Sequence, residues 1–278
     1  MNHDRMRRRR GAARAPLVAG AAAVLLLAGC VAGAEGVAES PVGEFPGGER
    51  PDYQLGGPYP PAEDVGIVVR DHREAPEQGR YNVCYLNAFQ VDDDGEGHWA
   101  DALLLLADGA PVIDPDWNEP LLDTSDAGTR EKIADVVGAW IDGCAEAGFD
   151  AVEFDNLDSY LRSGGALTAE DNLALAGDLV ARAHGRGLAA GQKNSAELTK
   201  RARSLGFDFA VTEECQHYDE CGAFTDAYGA SVIEIEYADQ PQANLAEACS
   251  ERGDTISIVR RDRELLPAGA EGHVAQWC

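Results

Sequence analysis

Short apolar runs of four to seven residues recur from Gly66 to the end of this chain, and amphipathic helical segments separate them. That alternation restricts the fold more than any other feature, because it calls for a largely parallel sheet covered by helices. Eight runs read as strands: Gly66-Ile67-Val68-Val69, Tyr81 to Asn87, Pro120 to Asp123, Ala151 to Asp155, Leu188 to Lys193, Asp208 to Glu213, Val232 to Tyr237 and Thr255 to Val259. The third competes with Pro111-Val112-Ile113-Asp114, one of the two being a candidate hairpin outside the sheet. Between strands, Ile133, Val136, Val137, Trp140, Ile141 and Cys144 keep the 3.6-residue period of a helix that Gly148 stops. Thr168 with Asp171 forms a capping-box pattern opening a second helix, with Leu175, Ala176, Leu179, Val180 and Ala183 on its apolar stripe. Eight such units in about 225 residues predict a single-domain α/β fold, a (β/α)8 TIM barrel over residues 52–278. A doubly wound open sheet fits less well, since no Gly-rich phosphate loop follows the first strand.

The first residues carry different information. Arg5, Arg7 to Arg10 and Arg14 precede an apolar stretch from Pro16 to Leu27, too short for a permanent membrane span. It ends in Leu27-Ala28-Gly29-Cys30, which resembles the bacterial lipoprotein box, so residues 1–29 are expected to be a signal peptide and Cys30 to carry the lipid. The alternative is a secretory signal cut at a small residue. Residues 30–51, rich in Gly, Ala, Pro and Glu, are then a tether, and membrane contact is expected only through the anchor. Both alternatives place the working domain outside the cytoplasm. The formal charge of -26 becomes -31 once the leader's six Arg and one Asp are lost, leaving 17 basic and 48 acidic residues. Nucleic acid is excluded as a partner, and a cationic or neutral ligand is favoured.

Of seven cysteines, Cys30 is spoken for, and the remaining six suggest three disulfides in an exported protein. Chain proximity pairs Cys215 with Cys221; the further expectation is Cys84 with Cys144 and Cys249 with Cys278, although six cysteines allow fifteen pairings. No Cys/His set has zinc spacing, and Asp92-Asp93-Asp94-Gly95 would need an acid where Gln90 stands to make a calcium loop. Neither metal nor cofactor is expected.

Polar residues ending barrel strands converge on one mouth. Here they are Tyr85 and Asn87; Asp123; Asp155, Asn156 and Asp158; Lys193 and Asn194; Glu213 and Glu214; and Glu236 and Tyr237. Two carboxyls flanking a sugar-sized gap can cleave a glycosidic bond, and Asp155 and Glu213, each ending an apolar strand, are the favoured pair. Glu153 shares the face of Asp155 one layer deeper, as a support. Lys193, one of three lysines, reads as the ion-pair partner of these acids. Tyr85, Trp117, Tyr160, Tyr218 and Tyr237 are candidates to stack on sugar rings, whereas Trp140 lies on a helix's core stripe. No Gly-x-Ser-x-Gly elbow is present, and His72, His98, His184, His217 and His273 have no nucleophile at a matching spacing. The same acids and aromatics would also serve a non-catalytic amino-sugar-binding lipoprotein, or a barrel glycosidase acting on another glycan.

The segments GFDAVEFDNLDSY (148–160), LTAEDN and ARAHGRGLAAGQKN (within 167–194), FDFAVTEECQHYDEC (207–221) and VIEIEY (232–237) resemble glycoside hydrolase family 114. Members of this family are endo-α-1,4-polygalactosaminidases on a (β/α)8 barrel. The resemblance implies that Asp155 and Glu213 are the catalytic pair; the reading taken here is a retaining reaction with Asp155 as nucleophile and Glu213 as acid/base, and the other strand-end residues Tyr85, Asn87, Asp123, Asn156, Asp158, Lys193, Asn194, Glu236 and Tyr237 are expected to bind substrate. One departure is Phe154, where the family commonly has proline. The implied partner is an amino-sugar polymer, cationic near neutral pH, that a strongly acidic monomer would attract.

Overall fold

The structure, a computed structural model, describes residues 42–91, 99–100 and 103–278. Eight parallel strands form the barrel. The chain enters through β1 (Arg50–Tyr53), β2 (Val65–Asp71) and β3 (Tyr81–Asn87), and makes an excursion holding the small hairpin β4 (Leu106–Ala107) and β5 (Ala110–Pro111). It then passes through α1 (Ala127–Ala147), β6 (Ala151–Asp155), α2 (Ala169–Gly185), β7 (Ala189–Lys193), α3 (Thr199–Leu205) and β8 (Phe209–Glu213). Two short helices, α4 (Cys215–Tyr218) and α5 (Cys221–Tyr228), lead to β9 (Val232–Tyr237), α6 (Gln242–Arg252), β10 (Ser257–Arg261) and β11 (Ala275–Trp277), the last antiparallel to β10. Spatial order follows chain order once the hairpin is set aside. At the seam, Arg261 reaches the Tyr53 carbonyl and, at 3.2 Å, Asp52, while the Trp277 indole donates to the Pro51 carbonyl at 2.7 Å.

The count of eight strands holds, but their membership changes. β3 pairs directly with β6, from Val83 opposite Ala151 to Asn87 opposite Asp155, so neither 120–123 nor 111–114 enters the barrel. Both lie in the excursion, where isolated bridges join Ile113 to Pro120 and Leu104 to Leu122. The missing strand is β1, inside the stretch expected to be tether and loop. Its sequence, RPDY, has no apolar alternation and contains proline, which a strand tolerates where one side of the ladder needs no amide. The folded region also reaches back to Phe45, which is buried and stacks on Phe209 at 4.7 Å, beneath the barrel.

Side chains alternate along each strand between the barrel interior and the helix layer. Ile67, Val69, Val83, Ala151, Ala189, Phe209, Val211, Ile233, Ile235 and Val259 pack inside. Gly191 is required in β7, since a Cβ there would come within 2.4 Å of the Phe209 ring. Outside, the α1 stripe Ile133, Val137, Ile141 and Cys144 and the α2 stripe Leu175, Ala176, Leu179, Val180 and Ala183 bury against the sheet, as their periodicity predicts. Asp126 caps α1, and the Thr168–Asp171 capping box opens α2. All three expected disulfides are present: Cys84–Cys144 joins β3 to α1, Cys215–Cys221 closes the α4 turn, and Cys249–Cys278 ties α6 to the last residue. They belong to an oxidising compartment, outside the cytoplasm. Among the described residues no helix is long and apolar enough to cross a membrane.

Candidate active site

Three adjacent strands send their last interior-facing residue into the mouth: Asp155 from β6, Lys193 from β7 and Glu213 from β8. One layer below Asp155 lies Glu153, fully buried, as its shared face predicts. The Lys193 ammonium is only 3% exposed and sits 3.4 Å from Glu153, 3.5 Å from Asp155 and 3.4 Å from Glu213. Burial alone would lower its pKa, but Asp155, Glu213 and Glu153 outweigh that and hold it well above the ordinary value. Lys193 is therefore the fixed cation of a buried cluster of carboxylates.

Each carboxylate has its own donors. The Tyr85 hydroxyl donates to Asp155 Oδ2 at 2.7 Å, and the Asn156 amide donates to Oδ1 at 2.8 Å. Glu213 accepts from the Tyr237 hydroxyl and, at 2.9 Å, from Asn194 Nδ2. Burial would push Glu213 up, yet Lys193, Tyr237 and Asn194 more than offset it, leaving its pKa below the usual value. Glu153 differs: it accepts the Tyr53 hydroxyl at 2.7 Å through Oε1, its Oε2 has no hydrogen-bond partner, and burial raises its pKa to about 7. Tyr53 is the largest contribution that sequence reading missed, lying 140 residues before the Lys193 that donates to its hydroxyl at 3.1 Å.

The three strand ends share a backbone device. Asn156, Asn194 and Glu214, each following a mouth residue, have φ of 63°, 47° and 58°. This left-handed step turns the chain sharply and leaves the preceding side chain aimed into the mouth. Asparagine tolerates it; glutamate does so less well, and Glu214 is held there by a two-pronged pair with Arg263 at 2.8 and 3.0 Å. Arg263 also binds Asp239 and lies 4.1 Å over the Tyr237 ring, fixing the phenol that donates to Glu213.

These residues line a cavity of about 400 Å³, with Tyr53, Tyr85, Trp117, Glu119, Asn156, Asp158, Arg162, Tyr237, Arg263 and Glu264 in its wall. Of the residues expected to bind substrate, Tyr85, Asn156, Asp158, Lys193, Asn194 and Tyr237 are brought together there. Asn87 lies behind the wall, accepting from Asn156 at 2.9 Å and donating to Glu119 at 3.1 Å. Two expectations are corrected. Glu236 cannot share the mouth with Tyr237, because neighbours on a strand point to opposite faces; it is buried on the helix side, accepting the Gln216 amide at 3.0 Å. Asp123 ends no barrel strand and instead caps a local turn, accepting from Ser125. Among the aromatics, Tyr160 donates to Glu197 and Tyr218 packs on His217, both away from the cavity. Glu119 and Arg263 come from loops and Arg162 from a short 3-10 turn, Ser159–Arg162, and none carried a periodic signal.

The one grouping of candidate metal donors among the described residues, Cys215, Cys221 and Glu234, has its sulfurs in a disulfide and its carboxylate on Arg252. The Asp92 to Gly95 segment lies outside the described residues.

Comparison with known proteins agrees with this fold. The crystal structure of Aspergillus fumigatus Ega3 in complex with galactosamine superposes with a TM-score of 0.71 at 21% identity, covering 87% of this chain and 100% of that one. The glycoside hydrolase domain of PelA from Pseudomonas aeruginosa gives a TM-score of 0.56 at 16% identity, covering 80% and 97%. Comparison with curated protein sequences finds no match. The model of glycoside-hydrolase family GH114 matches residues 34–278, a range that takes in every described residue, and so this chain, a glycoside hydrolase, belongs to that family.

Proposed function

We propose that this enzyme cleaves α-1,4-linked galactosamine polymers internally and with retention, with Asp155 as nucleophile and Glu213 as acid/base. One observation carries the reading: Asp155 and Glu213 each place an oxygen against the same Lys193 nitrogen, at 3.5 and 3.4 Å. Those oxygens can be no further apart than the sum of the two distances. So close a pair of oxygens is compatible with the separation of about 5–5.5 Å between carboxyl groups that retention needs, against about 6.5–9.5 Å for inversion. The galactosamine bound by the structurally similar Ega3, together with the family resemblance of the motifs, supports the sugar.

In this scheme Asp155 attacks the anomeric carbon while Glu213 gives its proton to the departing glycosidic oxygen. A glycosyl ester on Asp155 results. Glu213 then takes a proton from the water that opens the ester, and both carboxyls return to their starting states. Tyr85 and the Asn156 amide orient the nucleophile, and Tyr237 and Asn194 orient Glu213. Because its donors favour the ionised form, Glu213 takes up its proton only as conditions become more acid, so turnover rises as pH falls below neutral.

The remaining elements of the proposal concern placement. Residues 1–29 are removed as a signal, Cys30 carries a lipid, and the tether is the stretch before Phe45; the enzyme acts as a monomer beside the membrane that anchors it. Release of reducing ends from α-1,4-polygalactosamine, deacetylated and acetylated, tests the activity. The parent protein should release them, and Glu213→Gln and Asp155→Asn should lose about 10² to 10⁴ in kcat while remaining folded. No release from either polymer by the folded parent would refute the substrate; full activity in either variant would refute the pair.

A further inference from the structure

Beside the cavity, the excursion between β3 and α1 contains a turn, Asp114-Pro115-Asp116-Trp117-Asn118-Glu119, that is braced by backbone and side-chain hydrogen bonds and a buried carboxylate. The Asp114 amide donates to the Glu119 carbonyl at 2.8 Å and the Asn118 amide to the Asp114 carbonyl at 2.9 Å, with Asn118 in the left-handed region at φ 59°. The Asp114 carboxylate is fully buried: Oδ1 accepts the Asp116 amide at 2.8 Å, and Oδ2 accepts Gln90 Nε2 at 2.7 Å and pairs with Arg162 at 2.5 Å. Arg162 in turn holds Asp158 at 3.0 Å and Asn156 at 3.1 Å, the residue directly after Asp155. A continuous polar chain thus runs from the end of β6 to this turn.

The side chain presented by all this bracing is Trp117, which lines the cavity and is 64% exposed. An indole of that size normally buries its faces. Here the turn holds one out at the rim, with Ile113 and Leu161, on the two segments that Asp114 and Arg162 clamp together, also exposed. A rigid flat ring at the rim of a polar cavity matches the apolar face of a pyranose, and carboxylates beside it match the sugar's hydroxyls and ammonium. Glu119, held by Asn87, and Asp158, held by Arg162, stand in the same wall.

We propose that the Trp117 turn is a built outer subsite that stacks a further amino-sugar ring of the chain, next to the ring bound over Asp155 and Glu213, and so makes the site selective for polymer over single sugars. This rests on the substrate reading given above. Trp117 binds without taking part in the bond chemistry. Because the turn is anchored through Asp114 and not through the indole, replacing Trp117 leaves the brace intact.

The experiment compares the parent, Trp117→Ala and Trp117→Phe in turnover of α-1,4-polygalactosamine, and measures binding of galactosamine itself and of a galactosamine oligomer of six rings to the same proteins carrying Asp155→Asn. Trp117→Ala should lower kcat/KM on the polymer at least about tenfold, chiefly through KM, and weaken oligomer binding by a similar factor. Monomer binding should change by less than about twofold, and Trp117→Phe should keep most of the polymer affinity. Equal weakening of monomer and oligomer, or no weakening of either, overturns the subsite while leaving the enzyme's activity standing. If the parent does not cleave the polymer and the Asp155→Asn protein binds neither sugar, it is the substrate reading that fails, and the subsite with it.

Discussion

Glu153→Gln separates the electrostatics of the buried cluster from its packing. Glu153 is fully buried, with Tyr53 on one oxygen, nothing on the other, and Lys193, Asp155 and Glu213 as its charged neighbours. Burial, partly opposed by Lys193, raises its pKa from 4.5 to about 7. An acid whose folded pKa is raised binds its proton more tightly in the native state, so its contribution is present below pH 4.5 and is lost as pH rises through about 7. At 1.36 kcal/mol per unit, the parent should lose about 3 kcal/mol of stability through this group between pH 4.5 and pH 8. Glutamine keeps the acceptor for Tyr53 but cannot ionise. It leaves an amide without a partner, at a cost of about 1–3 kcal/mol that is the same at both pH values. The informative quantity is therefore the change with pH. In denaturant titrations, the stability difference between Glu153→Gln and the parent should shift by about 3 kcal/mol in the variant's favour from pH 4.5 to pH 8. A difference that is flat with pH would refute the placement of a protonatable acid beneath Asp155 and Glu213.

The net charge of -26 should draw in a polyamine chain, so raising salt from about 0.01 to 1 M should raise KM for polygalactosamine with little change in kcat; an unchanged KM would remove electrostatic capture from the account. Arg263→Gln frees Glu214 from its strained backbone and uncovers Tyr237, so kcat should fall by about tenfold with the thermal midpoint little altered, because Arg263 is partly exposed at the rim. A loss confined to KM would instead make Arg263 a substrate contact. Replacing Cys84 and Cys144 together by Ala opens a loop spanning 60 residues, worth roughly 4 kcal/mol on the chain-entropy model, and should lower the melting temperature by about 10 °C. Differential scanning calorimetry of the oxidised parent and the variant measures it directly.

Much of the site was legible because it depends on local order. Asp155, Lys193 and Glu213 each end a strand whose apolar run is visible in the chain, and period-two alternation places all three, with Glu153 below, on the interior face. The same rule, applied to VIEIEY, would have turned Glu236 away from the mouth as soon as Tyr237 was assigned to it. Three disulfides were legible from the number of cysteines, and Cys215–Cys221 from its short spacing, whereas spacing did not choose Cys84–Cys144 and Cys249–Cys278, which join elements 60 and 29 residues apart.

What the amino-acid order determined by itself, then, was the strand–helix rhythm, the face on which each strand residue sits, and the carboxylates and lysine at the strand ends. Tertiary structure alone decided which segment closes the barrel, that Tyr53 lies under Lys193 and Glu153, that Arg263 covers Tyr237, and that the Trp117 turn is clamped to the end of β6 through Asp114 and Arg162. The physical reason is one of range. Side-chain direction within an element is set by the backbone repeat of neighbouring residues, whereas contacts between a strand at residue 53 and one at residue 193, or between two loops, exist only once the closed barrel brings its ends together.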